Sequence, residues 1–301
     1  VTATAAGEAR TAAAEPRSAP GQTRIMGILN VTTDSFSDGC RYLDRDAAVA
    51  HAVDMVRRGA HIIDVGGEST RPGATRVAVS EEQRRVLPVI RELVARDITV
   101  SVDTMNASTA EAAIAAGAAI VNDVSGGLAD PEMDDLVVDS GIRFVVMHWR
   151  GASDVMVQHA RYGDVVGEVL GELELRAAQL IVKGADPQQL ILDPGLGFAK
   201  NAEHNWALLG HLPRLTALGL PVLVGASRKR FLGELEPAGE PGEPAGEPGD
   251  PGRDPADRDL SSAVVAGLAA RDGVWAVRVH DVTLTRTALA VAGAWQNGAA
   301  R

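Results

Sequence analysis

A single cysteine, Cys40, is all the thiol chemistry the chain contains. No intrachain disulfide can form, and nothing in cysteine usage implies an oxidising compartment. Aromatic residues make up only 3% of the 301 positions, leaving few rings on which nucleic-acid bases could stack. Basic residues are also scarce, 29 against 40 acidic ones, for a formal net charge of -11, which repels phosphate backbones globally. Nucleic acid is therefore not an expected partner, although an anionic protein can still hold a local cationic pocket. Long apolar runs are missing as well. No stretch of the roughly 18 apolar residues a spanning helix needs is present, so a membrane is not an expected partner either. Residues 1–23 are rich in Ala, Thr, Glu and Pro and lack an apolar segment, which reads as a disordered tail rather than a secretory signal. The expected location is the cytoplasm. His51, His61, His159, His204 and His211 lack metal-ligand spacing, so a zinc site is not expected. Neither a phosphate-binding Walker loop nor a complete dinucleotide fingerprint occurs.

What is present suits a packed core: 46% hydrophobic and 23% charged residues lie near the globular average. From Arg24 onward, short apolar runs alternate with longer stretches of helical period, the pattern of repeated β/α units. Strands are expected at Ile25–Leu29, His61–Val65, Thr99–Val102, Ile120–Asn122, Arg143–Met147, Leu190–Leu192, Pro221–Val224 and Ala276–Val279. Helices are expected at Asp44–Arg58, Ser80–Ala95, Ala107–Ala116, Pro131–Asp139, Asp164–Lys183, Ala202–Leu212, Leu260–Arg271 and Thr283–Trp295. Ser80 and Gln83 have the spacing of a capping box. Gly59, Gly117, Gly141 and Gly184 each sit just past a helix, where glycine takes a left-handed conformation at no steric cost. The α/β count predicts one (β/α)8 TIM barrel over 24–297, a fold of about 250 residues with ligands at the carboxyl ends of its strands. Residues 236–259 repeat Glu-Pro-Ala-Gly and Glu-Pro-Gly units and read as a mobile inserted loop that contributes no core.

The ends of the apolar runs are polar: Asn30 and Asp34 after the first, Thr70, Arg71 and Pro72 after the second, Asp103 at the third, Asn122 at the fourth. Asp193 ends the sixth, Ser227 and Lys229 follow the seventh, and Arg278 and His280 close the eighth. A lone Asp after a strand is usually a turn residue. Convergence of many such groups on one barrel mouth is costly unless a ligand satisfies them. Asp103, Asn122 and Asp193 offer acceptors and an amide, suited to a flat heterocycle with amino and ring N–H donors. Arg71, Lys229, Arg278 and His280 supply positive charge and directed donors, suited to phosphate oxygens. His148, after the fifth run, is a candidate supporting residue. Glycine pairs at Gly66-Gly67, Gly126-Gly127 and Gly195/Gly197 permit either a close backbone approach or a phosphate nest.

The segments from Met26 to Gly39 (MGILNVTTDSFSDG) and from Asp64 to Gly73 (DVGGESTRPG), with Ser101–Thr104, Asn122–Gly126, Asp193–Lys200, Gly225–Gly233 and Arg278–Asp281, closely resemble the motifs of dihydropteroate synthases. The resemblance runs from about Arg24 to Trp295, missing only the Pro/Gly insertion. It implies small-molecule substrates, 6-hydroxymethyl-7,8-dihydropterin diphosphate and p-aminobenzoate, with dihydropteroate and pyrophosphate as products, and a homodimer. It assigns Asp103, Asn122, Asp193 and Lys229 to the pterin, and Asn30, Arg71, Arg278 and His280 to the diphosphate, Asn30 through Mg2+. Phe36, Thr70, Pro72, Phe198 and Ser227 would shape the p-aminobenzoate region, and Asp34, Arg71, Asp103 and Lys229 would carry the catalysis. Thr33 and Cys40 depart from residues common in the family, proline and glycine, and both fall in the first loop. A dissociative substitution follows from the chemistry, with 30–39 and 68–73 as lids that exclude water. A pterin-dependent methyltransferase domain and a non-catalytic pterin-binding paralogue are the alternatives. The methyltransferase would not need the Ser227-Arg-Lys229 segment or the Arg71-Pro72 loop, and the paralogue would be favoured by decay of the lid or anion residues, which are all present.

Overall fold

A computed structural model describes residues 22–31, 41–68, 77–151, 160–235 and 255–299. Eight parallel strands run in the order β6-β5-β4-β3-β2-β1-β8-β7. They are β1 (Arg24–Asn30), β2 (Ile62–Gly66), β3 (Val100–Asp103), β4 (Ile120–Asp123), β5 (Arg143–Met147), β6 (Leu190–Asp193), β7 (Leu223–Val224) and β8 (Ala276–Val279). Ladders join every neighbour in that order, and β6 meets β7 through one bridge, Leu192 to Val222, backed by the Leu192 N–H donating to the Pro221 carbonyl at 2.8 Å. That contact closes the sheet into the expected (β/α)8 barrel. The seventh strand is shorter than expected, because only Leu223 and Val224 keep full ladder pairing.

Side-chain alternation sorts each strand into two faces. Met26, Ile62, Ile120, Val145, Ile191, Leu223 and Ala276 point inward and form a small cluster that plugs the barrel. Ile25, Leu29, Ile63, Val65, Val100, Val102, Phe144, Val146, Leu190 and Val277 point outward into the larger core beneath the helices. Each such side chain stabilises the fold by about 1.5–3 kcal/mol when taken from water, so this outer shell dominates stability. The inner face has another use. Two residues beyond the plug on β2, β4, β6 and β8, the inward positions are Asp64, Asn122, Asp193 and Arg278, and on β3 they are Ser101 and Asp103.

The helices are α1 (Arg41–Arg58), α2 (Val79–Val94), α3 (Ala107–Ala115), α4 (Met133–Ser140), α5 (Val165–Lys183), α6 (Ala202–Gly210), α7 (Leu212–Thr216), α8 (Arg230–Gly233), α9 (Asp259–Arg271) and α10 (Val282–Ala299). Two expectations need correcting. The capping box at Ser80 does not form: α2 begins a residue earlier, and its N-cap, Ala78, has no side-chain hydrogen bond. Glu81 then pairs with Arg85 at 2.8 Å, while Glu82, buried, accepts from Asn106 Nδ2 (2.8 Å) and Thr109 Oγ1 (2.7 Å). The single helix expected at Ala202–Leu212 ends at Gly210 and a second turn starts at Leu212. Pro213 has no N–H to continue the ladder, so the chain restarts there.

Two segment boundaries also shift. Thr23 is buried and donates to the Val274 carbonyl at 2.9 Å, so it belongs to the barrel rather than to a tail. Pro255–Arg258 form a 3-10 turn and Asp259 opens α9, so ordered structure reaches into the stretch read as an inserted loop. The four glycines after helices do have positive φ, from 63° at Gly141 to 124° at Gly184.

Candidate active site

At the carboxyl end of the barrel a charged cluster crosses the interior. Arg278, inward on β8, donates through Nε to Asp64 Oδ2 on β2 and through Nη2 to Asp103 Oδ2 on β3, each at 2.6 Å. Asn122 Nδ2, from β4, donates to the same Asp64 oxygen at 3.0 Å. Four strands are thereby tied across one cavity. Gly225 sits where a Cβ would come within 3.9 Å of Arg278 Cβ and 4.0 Å of Asp193 Oδ2, which places the Asp193 carboxylate and the base of Arg278 beside one another. Asp193 accepts from the Gly195 N–H at 2.7 Å. Lys229, following β7, donates to the Leu196 carbonyl and holds its ammonium 4.8 Å from the centre of the Phe198 ring.

The charges perturb one another. Burial pushes the Asp103 carboxyl up to about 7; Arg278 pulls it down and Asp64 pushes it further up. Burial also raises Asp193, against Lys229 and the Gly195 N–H. Burial works against the Arg278 cation, but Asp64 and Asp103 outweigh it and hold its pKa above the ordinary value. Lys229 falls to about 8 through burial, with Asp193 opposing. Perturbed groups clustered in a cleft mark a functional site. The Asp64 Oδ1 and Ser101 Oγ atoms, both fully buried, have no hydrogen-bond partner among the described residues.

Ser227 and His280 form a second group at the same rim. The Ser227 hydroxyl lies 2.9 Å from His280 Nδ1 and accepts from the His280 N–H at 3.1 Å. Between Ser227 and Lys229, Arg228 has φ 60°, a left-handed backbone that costs a non-glycine residue about 1 kcal/mol. It is held there by a bidentate pair with Asp259 (2.7 Å to each oxygen), by Ser262 Oγ accepting from its N–H (3.0 Å), and by Arg258 donating to its carbonyl (3.1 Å). Asn30 is exposed at the end of β1, at an inward position of the alternation.

The loops after β4 and β6 fold over the end of β5. Gly126 (φ 61°) and Gly195 (φ 65°) press their backbones against it; a Cβ would lie 2.8 Å from the Met147 carbonyl at Gly126 and 2.4 Å from the His148 carbonyl at Gly195. Only glycine fits such an approach. His148 itself is buried between Glu172 (Nε2 to Oε2, 2.9 Å) and the Lys200 ammonium (2.9 Å from Nδ1). Burial, with the Lys229 charge, lowers Lys200 to about 7; in its charged form the amine can only donate, so Nδ1 accepts and the ring proton on Nε2 faces Glu172. Burial, with the Lys200 charge, lowers His148 to about 3 and keeps the ring neutral.

Of the residues expected at the site, Asp103, Asn122, Asp193, Lys229, Phe198, Ser227, Arg278, His280 and Asn30 stand at this one mouth. Asp34, Phe36, Thr70, Arg71 and Pro72, and with them Thr33, Cys40 and most of both expected lid segments, lie outside the described residues. Sequence reasoning missed Asp64 and Lys200. Asp64 was detectable as the one charge in the run Ile62–Gly66, at the same inward parity as Ile62. Lys200 closed a motif already singled out but carried no signal of its own.

Comparison with known proteins agrees with this geometry. The model of the pterin binding enzyme family matches residues 26–280. A dihydropteroate synthase of Mycobacterium leprae is 53% identical over 273 residues, covering 90% of this chain and 93% of that protein. Among solved structures, Xanthomonas albilineans dihydropteroate synthase with 4-aminobenzoic acid superposes with a TM-score of 0.81 at 44% identity, covering 91% of this chain and 93% of that one. The same enzyme in complex with 7,8-dihydropteroate gives a TM-score of 0.78 at 40% identity, covering 92% and 95%. The chain belongs to the dihydropteroate synthase family of pterin-binding enzymes.

Proposed function

We propose that the protein joins 6-hydroxymethyl-7,8-dihydropterin diphosphate to p-aminobenzoate, releasing 7,8-dihydropteroate and pyrophosphate. The observation that carries this reading is the crossing of the barrel interior by Asp64, Arg278 and Asp103, beside Asp193 and Lys229. Three carboxylates and an amide lining the mouth of a closed barrel are acceptors matched to the amino and ring N–H donors of a pterin. Arg278 on the β8 side, with His280 at the rim, suits an anionic leaving group.

In this reading Asp193 accepts from the amino-pyrimidine edge of the ring, with Asn122 and Lys229 at its other polar atoms. The diphosphate leaves from a methylene attached to an electron-rich ring, so the bond to oxygen breaks before the weakly nucleophilic arylamine attacks. Asp103 in its anionic form offsets the positive charge that develops on the ring. Arg278 and His280, with Arg71, hold the departing oxygens. No strong base is needed, because the arylamine is neutral near pH 7 and loses its proton after attack. Phe198 and Ser227, with Phe36, Thr70 and Pro72, line the arylamine side.

Mg2+ fits the donor set. Among the described residues no group of three acidic, histidine or cysteine side chains could hold a metal alone. The exposed Asn30 amide oxygen is a single hard ligand, the kind Mg2+ combines with waters and substrate phosphate oxygens. Bound there, the ion would neutralise charge on the leaving diphosphate.

A homodimer is part of the same proposal. Leu260, Val264 and Leu268 recur every four residues on α9 and are exposed, as are Val291 and Trp295 on α10, which packs against it; Leu260 and Trp295 are 67% and 69% exposed. An apolar face this extensive usually marks an interface, and a second copy of the chain satisfies it. Among the described residues no helix is long and apolar enough to cross a membrane, and the lone cysteine fits work in the cytoplasm. The deciding experiment incubates the purified protein with pterin diphosphate, p-aminobenzoate and Mg2+. Dihydropteroate and pyrophosphate in equal amounts are the expected products. Release of neither, from a folded sample, would end the proposal.

A further inference from the structure

The loop between β6 and α6 is held by four side chains, and the buried cation of that set is Lys200. Its ammonium donates to His148 Nδ1 (2.9 Å), to the Gly195 carbonyl (3.1 Å) and to the Phe198 carbonyl (3.1 Å). The other anchors are Tyr162, whose hydroxyl donates to the Ala199 carbonyl at 3.0 Å, Asn205, whose Oδ1 accepts from the Gly197 N–H at 2.8 Å, and Lys229 on the Leu196 carbonyl. Ala199 has φ 49°, a left-handed backbone that an alanine keeps only where its surroundings fix it. A buried ammonium is costly unless each of its protons finds an acceptor. Here all three do, and none is left for a substrate.

We propose that Lys200 is a positioning residue for the arylamine, its ammonium fixing the β6–α6 loop so that the Phe198 ring stays against the Lys229 side chain at the mouth. Support behind Lys200 reaches the surface in a chain: His148 rests on Glu172, and Arg150 donates to both Glu172 and Glu168, at 2.8 Å for the latter. Arg150 in turn lies 4.1 Å from the centre of the Tyr162 ring, which brings the second anchor into the same scaffold. On the pterin side, β2, β3, β4 and β8 have no member in this chain, and Asp193 and Lys229 meet the loop only through the Gly195 N–H and the Leu196 carbonyl. Loss of Lys200 therefore acts more strongly on the arylamine than on the pterin. This inference rests on the function proposed above for the same mouth.

The test compares the parent protein with Lys200→Met, after melting curves establish that both fold. Two readouts are taken: hydrogen exchange of amides 195–199, and steady-state pyrophosphate release with p-aminobenzoate varied at saturating pterin diphosphate. The variant is expected to exchange those loop amides at least about tenfold faster, with strands β1 to β4 unaffected. Its KM for p-aminobenzoate rises by about tenfold or more, while the dissociation constant of the pterin substrate, from calorimetry, stays within about threefold. Unchanged loop exchange, an unchanged KM, or pterin affinity lost in step with the KM would each overturn the proposal. Should Lys200→Met not fold, Lys200→Gln, which keeps a donor in the same space, must show the same pattern at smaller size, and a normal KM with a loosened loop would overturn it. A parent protein that releases no pyrophosphate defeats the functional reading, whereas its loop exchange still decides whether Lys200 holds the loop.

Discussion

Arg278 joins three strands through two ion pairs while its own side chain remains 20% exposed. Its removal leaves Asp64 and Asp103 buried without a counter-charge, the arrangement that costs most in a protein interior. Arg278→Ala is expected to lower stability by about 3 kcal/mol, read from chemical denaturation; a loss within experimental scatter would mean that solvent replaces the guanidinium. Asp103 gives a pH dependence whose sign differs between folding and catalysis. Its folded pKa, about 7, lies above the ordinary 3.8, so the folded protein holds a proton that the unfolded chain releases. The stability from this group is full below about pH 4 and is lost as pH rises through about 7. Catalysis needs the anion, so kcat/KM should climb with pH and level off above about 7. In Asp103→Asn both trends should be absent. Melting temperature and rate, each followed against pH for the two proteins, check this.

Individual strands show which parts of the site their residues already announced. In β2 and β8 the alternation that turns Asp64 and Arg278 inward is contained in IIDVG and AVRV, and Arg278 was expected at the mouth because it ends the eighth apolar run. That Asp64 is its partner could not be read, because β2 and β8 flank β1 and meet only across the barrel interior. Helix ends were less legible where two signals competed. Ser80 and Gln83 have the capping spacing, but burying Glu82 against Asn106 and Thr109 gains more than the cap would. Asp164 is the contrasting case: its side chain does accept from the Gly167 N–H, at 3.0 Å, at the start of α5. Asp164→Ala should cost about 1 kcal/mol in a denaturation experiment, and no measurable loss would show that Glu168, which accepts from the Gly163 and Asp164 N–H groups, caps the helix alone.

The barrel as a whole is closed at its weakest seam, between β6 and β7, by one bridge. Both loops beyond that seam carry site residues, Phe198 and Lys229. The inserted stretch joins the barrel nearby, at the 3-10 turn of Pro255–Arg258 and at Asp259, which grips Arg228. Shortening the chain within 237–253, where Glu-Pro-Gly units offer no core side chains, should leave turnover within about twofold. Cutting further, through Asp259, should not be tolerated, since Arg228 then loses the hold on its left-handed backbone. Equal activity in both deletions would remove Asp259 from any part in placing Lys229. On the outer surface, Val264→Glu with Leu268→Glu should halve the molecular mass seen by light scattering if α9 and α10 form the dimer face; an unchanged mass would move the interface elsewhere.

The order of β/α units, the inward parity of the polar residues and the family motifs are local properties, carried by short spacings, and these the amino-acid sequence determined by itself. Which polar groups meet is set by barrel closure and strand register, which bring β2, β3, β4 and β8 to a common interior over separations as long as that between Asp64 and Arg278. Tertiary structure alone therefore decided that Arg278 is shared by two carboxylates, that His148 is neutral beneath Lys200, and that the end of the insertion holds Arg228. The physical reason is the same in each case: a charge in a low-dielectric interior takes its meaning from its neighbours, and those neighbours come from elsewhere in the chain.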